Sequence, residues 1–202
     1  MNNMTSPAPD YLDLSDPARF CDSALSLLAR GVRDRRSAFH VINLATLSPT
    51  GLPRVRNVVL RGCEPRHALL VFHTDRRSEK FQDLGTESHA EIAAYDSGHK
   101  LQLRLAGPVR LHYLCDRAAE AWAHMTANAR AVYAHSEPPG ALKAKDDAPA
   151  PLLNDEAAYQ NFVICHLHLR RLDILFLKAG GHLRAIGTMN EAGQIEADWV
   201  IP

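Results

Sequence analysis

LLVFHTDRRSEK, residues 69–80, changes character halfway along its length. Leu69, Leu70, Val71 and Phe72 form a short apolar run of the kind that makes a buried strand. The run gives out at His73-Thr74. Arg76, Arg77, Ser78 and Lys80 then crowd the start of a short helical segment, Ser78 to Leu84, which Gly85 is placed to close. A helix N-terminus already carries free N–H groups and a partial positive charge, so cations there oppose the dipole unless an anion sits among them. A unit-charge pair at ~4 Å is worth about 4 kcal/mol at an effective dielectric of 20, before desolvation. Thr74 and Ser78 add hydroxyl donors. By itself the corner reads either as an exposed charged turn or as an anion cradle.

The segments on either side set the fold. Upstream, Asp16-Pro17 starts a helix with Phe20, Ala24, Leu27 and Leu28 at helical spacing and Gly31 as its stop. Strand formers follow at Phe39 to Leu47, Val55 to Leu60 and Ala68 to His73, joined by the turn Ser48-Pro49-Thr50-Gly51 and the break Gly62 to Arg66. Such short joins predict an antiparallel meander. Downstream, Ala90 to Tyr95 and Leu101 to Leu111 are strands, the second with Gly107-Pro108 as a bulge or bend. Asp116 is placed to cap a second helix with Ala119, Trp122 and Ala123 on its apolar stripe, and Asn154 to Gln160 reads as a short third helix. Strands at Phe162 to Leu169, Asp173 to Leu177, Leu183 to Thr188 and Ile195 to Val200 finish the chain. Many antiparallel strands with few helices predict a mainly β, α+β architecture centred on a barrel. Residues 1–202 read as one domain, with a disordered tail over 1–10 and a loop or lid over 136–154.

Lysine plus arginine equals aspartate plus glutamate, 23 each, which argues against a nucleic-acid partner. The basic runs Arg33 to Arg36 and Arg170-Arg171 read as solvated surface. The N-terminus shows no secretory pattern and no apolar run reaches transmembrane length, so neither export nor a membrane is expected. The four cysteines, Cys21, Cys63, Cys115 and Cys165, are far apart with no C-x-x-C; free thiols in a reducing cytoplasm are the expectation. Cys63 sits beside Glu64, whose charge disfavours a thiolate. His166 and His168 fall on one strand face but need a third ligand that the sequence does not nominate, so no metal is assigned.

Two further segments bear on the cradle. In RVRNVVLRG, residues 54–62, the apolar Val58-Val59-Leu60 marks a buried strand, so the charged Arg56 at its start needs a partner. If that strand pairs with Ala68 to His73, Arg56 comes near the 73–80 corner. In LQLRLAGPVRL, residues 101–111, Gln102 is a neutral amide among apolar positions, able to donate and accept.

RNVVLRG, FHTDRRSEK and LQLRLAGPV, in that order and spacing, resemble the flavin-binding segments of the pyridoxamine 5'-phosphate oxidase family, and most closely its oxidase-related FMN-binding branch. The likeness covers roughly Leu44 to Leu111 and thins in the C-terminal third. It implies a split β-barrel with flanking helices, forming a homodimer that holds FMN at the subunit interface. By position, Arg56 would contact the phosphate and ribityl chain, and the backbone of Asn57, Val58 and Val59 would edge the ring. His73 and Thr74 would make the next contacts, Ser78 and Lys80 would sit on the phosphate, and Gln102 would bond the ring from the partner strand. Arg61 falls near the ring as a contact for a substrate anion. The departures are Glu79, where the oxidases proper carry arginine, with Arg77 placed to compensate, and LFLKAGGHLRA, residues 175–185, which lacks their tryptophan and R-x-H pair and leaves Arg184 as the match to the last flavin-contacting arginine. The resemblance therefore implies FMN without the vitamin substrate: an FMN-dependent oxidoreductase acting on an unidentified small molecule, or a non-catalytic flavin-binding or sensor module. No general acid or base is nominated.

Overall fold

The computed structural model describes residues 10–86, 89–142 and 150–202. The expected tail falls outside these apart from Asp10, as does the middle of the 136–154 segment. Asp16 caps α1 (Pro17–Arg30), its carboxylate accepting from the N–H groups of Ala18 at 2.9 Å and Arg19 at 3.1 Å. Gly31 follows with an ordinary helical φ of −60°; its lack of a side chain matters because a Cβ would lie 2.8 Å from the Phe39 carbonyl. The helix buries Phe20, Ala24, Leu25, Leu27 and Leu28.

The strands are β1 (Val41–Leu47), β2 (Pro53–Glu64), β3 (Leu69–Asp75), β4 (His89–Asp96), β5 (Leu101–His112), β6 (Phe162–His168), β7 (Arg171–Phe176), β8 (Leu183–Met189) and β9 (Ile195–Val200). They are ordered β4-β1-β2-β3-β6-β5-β7-β8-β9, every pairing among the described residues is antiparallel, and β4 also pairs with β5. That extra pairing closes β1 to β6 into a barrel, with β7, β8 and β9 extending from one side; the architecture is a split β-barrel. The closure depends on β5 changing partners. Leu101 to Ala106 pair with β7, whereas Val109 to His112 pair with β6. Gly107 lies at the switch, where a Cβ would fall 1.9 Å from the carbonyl oxygen of His168. The expected bend at Gly107-Pro108 is thus a change of partner at close backbone approach. The irregularity of the ladder lies instead in β2, where the register shifts between Leu60 and Gly62 and leaves Arg61 as the extra residue.

Alternation sorts the side chains. Ile42, Leu44, Val58, Leu60, Leu70, Phe72, Ile92, Leu103, Leu105, Cys165 and Leu167 fill the interior. A second, smaller core forms outside β3 and β6. There α3 (Asp116–Ala123), α4 (Ala127–Ala131) and α5 (Asp155–Tyr159) enclose Ala118, Trp122, Tyr133, Ala158, Phe162 and Ile164. The N-cap of α3 is Cys115, with no side-chain bond to the helix; Asp116, expected as the cap, is instead the acidic residue of the first turn. Before β4, the helix α2 (Glu79–Thr86) runs through Gly85, which therefore does not terminate it.

Candidate functional site

The strand-to-helix corner is built by one turn. At the end of β3, the Asp75 carbonyl accepts from Ser78 N at 3.1 Å and Ser78 Oγ at 2.7 Å, and the Ser78 and Thr74 hydroxyls lie 3.0 Å apart. Thr74 points to the barrel side of β3, while the imidazole of His73 faces the helical layer, edge-on to Phe162 at 4.9 Å. Only through its main chain does His73 share a surface with Thr74. One residue into α2 stands Lys80. It is substantially buried, and burial lowers its pKa, with Arg56 adding to the effect and Asp75 and Cys165 opposing it. It makes no hydrogen bond or ion pair among the described residues. A desolvated ammonium without an anion is unfavourable, and it is the feature of this corner that an exposed turn does not explain.

Arg56 has the partner its sequence context requires. Asp83 of α2 is fully buried and accepts from Arg56 Nη2 and Arg54 Nη1, each at 2.9 Å, and from Thr46 Oγ1 at 2.7 Å. Arg56 Nη1 also donates to Thr46 Oγ1. This network seats α2 on the barrel through β1 and β2. One buried carboxylate is shared by two guanidiniums, and Lys80 adds a further cation nearby. Glu79 turns away from the corner: it is exposed and reaches only Arg54, at 4.0 Å. Arg77 does not join the cradle as expected. Its Nε and Nη2 lie 3.0 and 2.8 Å from the two oxygens of Asp75, and its Nη1 donates to the carbonyls of His135 at 2.9 Å and Ser136 at 3.1 Å. It ties the start of the 136–154 segment to the turn.

Gln102 and Arg184 occupy a different surface. Register aligns Tyr95, Gln102, Leu175 and Arg184 in one row across β4, β5, β7 and β8 on the outside of the sheet. Arg56 shares its inward row with Leu44, Ile92 and Leu105. Within one chain the two groups therefore lie on opposite faces. Arg184 is engaged by the buried Asp173, with Nε and Nη2 at 2.9 and 2.8 Å, and Arg104 and Arg171 flank the same carboxylate at 3.4 and 3.5 Å. Three arginines hold Asp173 well below the usual carboxylate range, the hydrogen bonds from Arg184 being the largest cause. Asn57 and Val59 also face outward, whereas Val58 faces in. Arg61 protrudes at the β2 bulge, exposed and with no hydrogen bond or ion pair among the described residues.

Asp83 and Asp173 are the two buried acids of the site that the motifs do not contain. For Asp83 a signal exists: in α2 it stands one turn after Lys80, at i,i+3, on the face that carries the candidate cradle. For Asp173 the signal is an acid flanked by apolar residues in a strand. The cysteines are free. Burial pushes the Cys63 thiol up to about 12, and the Glu64 charge adds less. Among the described residues no group of three or more histidines, cysteines or acids is arranged to hold a metal ion, and no helix is long and apolar enough to cross a membrane.

Residues 24–113 match the model of the pyridoxamine 5'-phosphate oxidase FMN-binding domain. The chain belongs to this FMN-binding family. The match takes in every candidate cofactor position except Arg184. A curated pyridoxine/pyridoxamine 5'-phosphate oxidase of Deinococcus deserti is 31% identical over 144 residues, which span 69% of this chain and 58% of that protein. One from Sinorhizobium fredii is 38% identical over 72 residues, 36% of this chain and 34% of the relative. The chain thus spans only about a third to three-fifths of the length of these relatives. Among solved structures, an oxidase-related FMN-binding protein of Nostoc punctiforme superposes with a TM-score of 0.71 at 24% identity, covering 89% of this chain and 96% of that one. PhzG of Burkholderia lata, solved with tetrahydrophenazine-1-carboxylic acid, gives 0.68 at 17% identity over 98% of both chains. These two likenesses show the family's split-barrel fold.

The described residues fit FMN at its phosphate end. The corner offers two hydroxyls, the start of α2, and the cations Arg56 and Lys80, of which Lys80 has no ion-pair partner among the described residues. That matches a phosphate monoester dianion.

Proposed function

We propose that this chain is an FMN-dependent oxidoreductase that works as a homodimer on a small molecule other than a vitamin B6 phosphate. The observation that carries the reading is Lys80, a desolvated cation without an anion, beside the paired hydroxyls of Thr74 and Ser78 and the Arg54–Asp83–Arg56 network. In this reading Lys80, Ser78 and Thr74 hold the phosphate and Arg56 the ribityl side. The main chain of residues 57–59 and 73 borders the ring. Bound FMN supplies hydride chemistry at its reactive ring nitrogen; the protein supplies binding, orientation and exclusion of water.

The homodimer is supported by the division of the family positions. Gln102 and Arg184 share an outer row on the face opposite Arg56, so a second copy must present them if both groups are to meet one flavin. That outer face also carries exposed Val41, Leu47, Val55 and Tyr95, apolar surface a partner would cover. Against a B6 phosphate substrate stands the 175–185 segment, which lacks the tryptophan and R-x-H pair of the oxidases proper.

The test is the visible spectrum of the purified chain, with FMN titration, size measurement by light scattering, and reduction by a nicotinamide donor. Flavin bands, a dimer mass and turnover are expected. A colourless protein that takes up no FMN removes the whole reading. Flavin uptake without reduction at a useful rate points instead to a binding or sensor module.

A further inference from the structure

We propose that Arg110, His112, Arg117 and His166 form a second ligand site, on the outer face of β5 and β6 beneath the start of α3, that takes a phosphate group. The inference does not depend on the flavin reading. Register sets Gly62, Val71, His166 and Arg110 in one row across β2, β3, β6 and β5, so a whole strand stands between this place and the β2 bulge.

Strand alternation brings the side chains together. Arg110 pairs with His166, and His112 with Ile164 of the second core, so all of them point out of the barrel. The rings of His112 and His166 meet edge-on with centroids 4.5 Å apart, and His168 follows at 6.3 Å from His166. Arg117, in the first turn of α3, bears on both His112 and His166. His166 is buried. The Nε2 atom of His112 is also buried, and it has no hydrogen-bond partner among the described residues. Arg110 and Arg117 are exposed and make no hydrogen bond or ion pair among the described residues. A buried ring nitrogen without a partner is uncommon in a folded protein and asks for one. The groups around this one are guanidiniums, which only donate, so what the cluster lacks is an acceptor. One tetrahedral oxyanion offers several acceptor oxygens, enough for a protonated Nε2 and both guanidiniums together.

The charges agree. The charged and titratable groups facing His112 are Arg117 of α3, His168 of β6 and Arg110 of its own strand. His166 faces His112, Arg117 and His168, opposed by Glu64 at the end of β2, and itself bears on His73 of β3. Glu64 is engaged by His67 Nδ1 at 3.0 Å, and Glu191, which faces His168, by Arg170 at 2.7 Å. Asp116, beside Arg117 in the chain, bears on Tyr159 instead. Burial first, and then these cations, hold His112 and His166 below the usual histidine range. Two full positive charges without an acid in contact match a phosphate dianion, and a bound dianion reverses the local field so that His112 gains a proton. The three histidines are not arranged to hold a metal ion.

The experiment follows the imidazole ring signals of His112 and His166 by NMR in FMN-loaded protein, assigned through His112→Gln and His166→Gln, while inorganic phosphate is added at pH 7. Both signals should shift saturably, and phosphate should raise the apparent pKa of His112. Arg110→Gln and Arg117→Gln should each weaken phosphate by at least about fivefold, with melting temperature and FMN affinity unchanged. Phenyl phosphate run beside inorganic phosphate tells the source: tighter binding of the ester assigns a phosphate monoester, and weaker binding the free ion. No saturable shift of either histidine, an affinity indifferent to both arginine substitutions, or shifts produced by zinc and not by phosphate overturns the proposal. If the chain takes up no FMN, the flavin reading fails separately, and the same titration of the Lys80→Met chain, whose corner cation is gone, decides the second site.

Discussion

Replacing Lys80 by methionine separates a ligand-binding cation from a structural one. In the folded chain Lys80 is desolvated and has no ion-pair partner among the described residues, and burial outweighs the attraction of Asp75, so its charge is a net cost to the unloaded protein. Against a bound phosphate the bare Coulomb gain is about 4 kcal/mol at 4 Å and an effective dielectric of 20. After desolvation, a hydrogen bond to a charged group nets about 2 kcal/mol, which is roughly 30-fold in Kd. Lys80→Met should therefore weaken FMN by about 30-fold in a fluorescence-quenching titration. Melting of the unloaded protein should stay the same or rise, since a buried unpaired ammonium becomes an apolar side chain of similar length. The wild-type advantage should shrink in high salt, and the variant should lose part of that sensitivity. An FMN Kd within about threefold of wild type would show that the phosphate lies elsewhere. A clear loss of melting temperature without FMN would show that Lys80 has a structural role instead.

Asp83→Ala should behave in the opposite way. It leaves Arg54 and Arg56 facing each other in a buried seam and should cost about 3–5 kcal/mol of stability, read as a lower urea midpoint without cofactor. For the same reason Arg56→Ala combines lost binding with lost stability and is the poorer probe of the site. Stability should also fall with acid. His73 and His166 both titrate near 4 in the folded chain against an ordinary 6.5, so the unfolded chain binds more protons between those values. Their contribution is complete above pH 6.5 and is lost as the pH drops toward 4; at pH 5 each has cost about 2 kcal/mol. Urea midpoints at pH 7 and pH 5 check this, and His166→Gln should flatten the difference.

Much of this protein is decided locally. Asp16-Pro17 starts a helix wherever it stands, because the carboxylate and the fixed proline φ satisfy the first turn without outside help. Alternation in residues 101–111 assigns Leu101, Leu103 and Leu105 to the interior and Gln102 and Arg104 to the exterior for any sheet that forms. The crowding of Arg76, Arg77, Ser78 and Lys80 at a helix start marks a candidate anion site from charge and dipole alone. What sequence did not determine is which of those cations is free. Arg77 is spent on Asp75 and the carbonyls of His135 and Ser136, Arg56 on Asp83, and Lys80 on no ion pair or hydrogen bond among the described residues. The Arg77–Asp75 pair is local, but the contacts of Arg77 with His135 and Ser136 and of Arg56 with Asp83 join residues far apart in the chain, which no local pattern encodes. Barrel closure puts Gln102 and Arg184 on the face away from Arg56, and sets His73 and Tyr133 against one phenylalanine. Residue type and spacing determined where charge and strand occur; only the tertiary structure decided which charges are compensated, because compensation is a matter of distance.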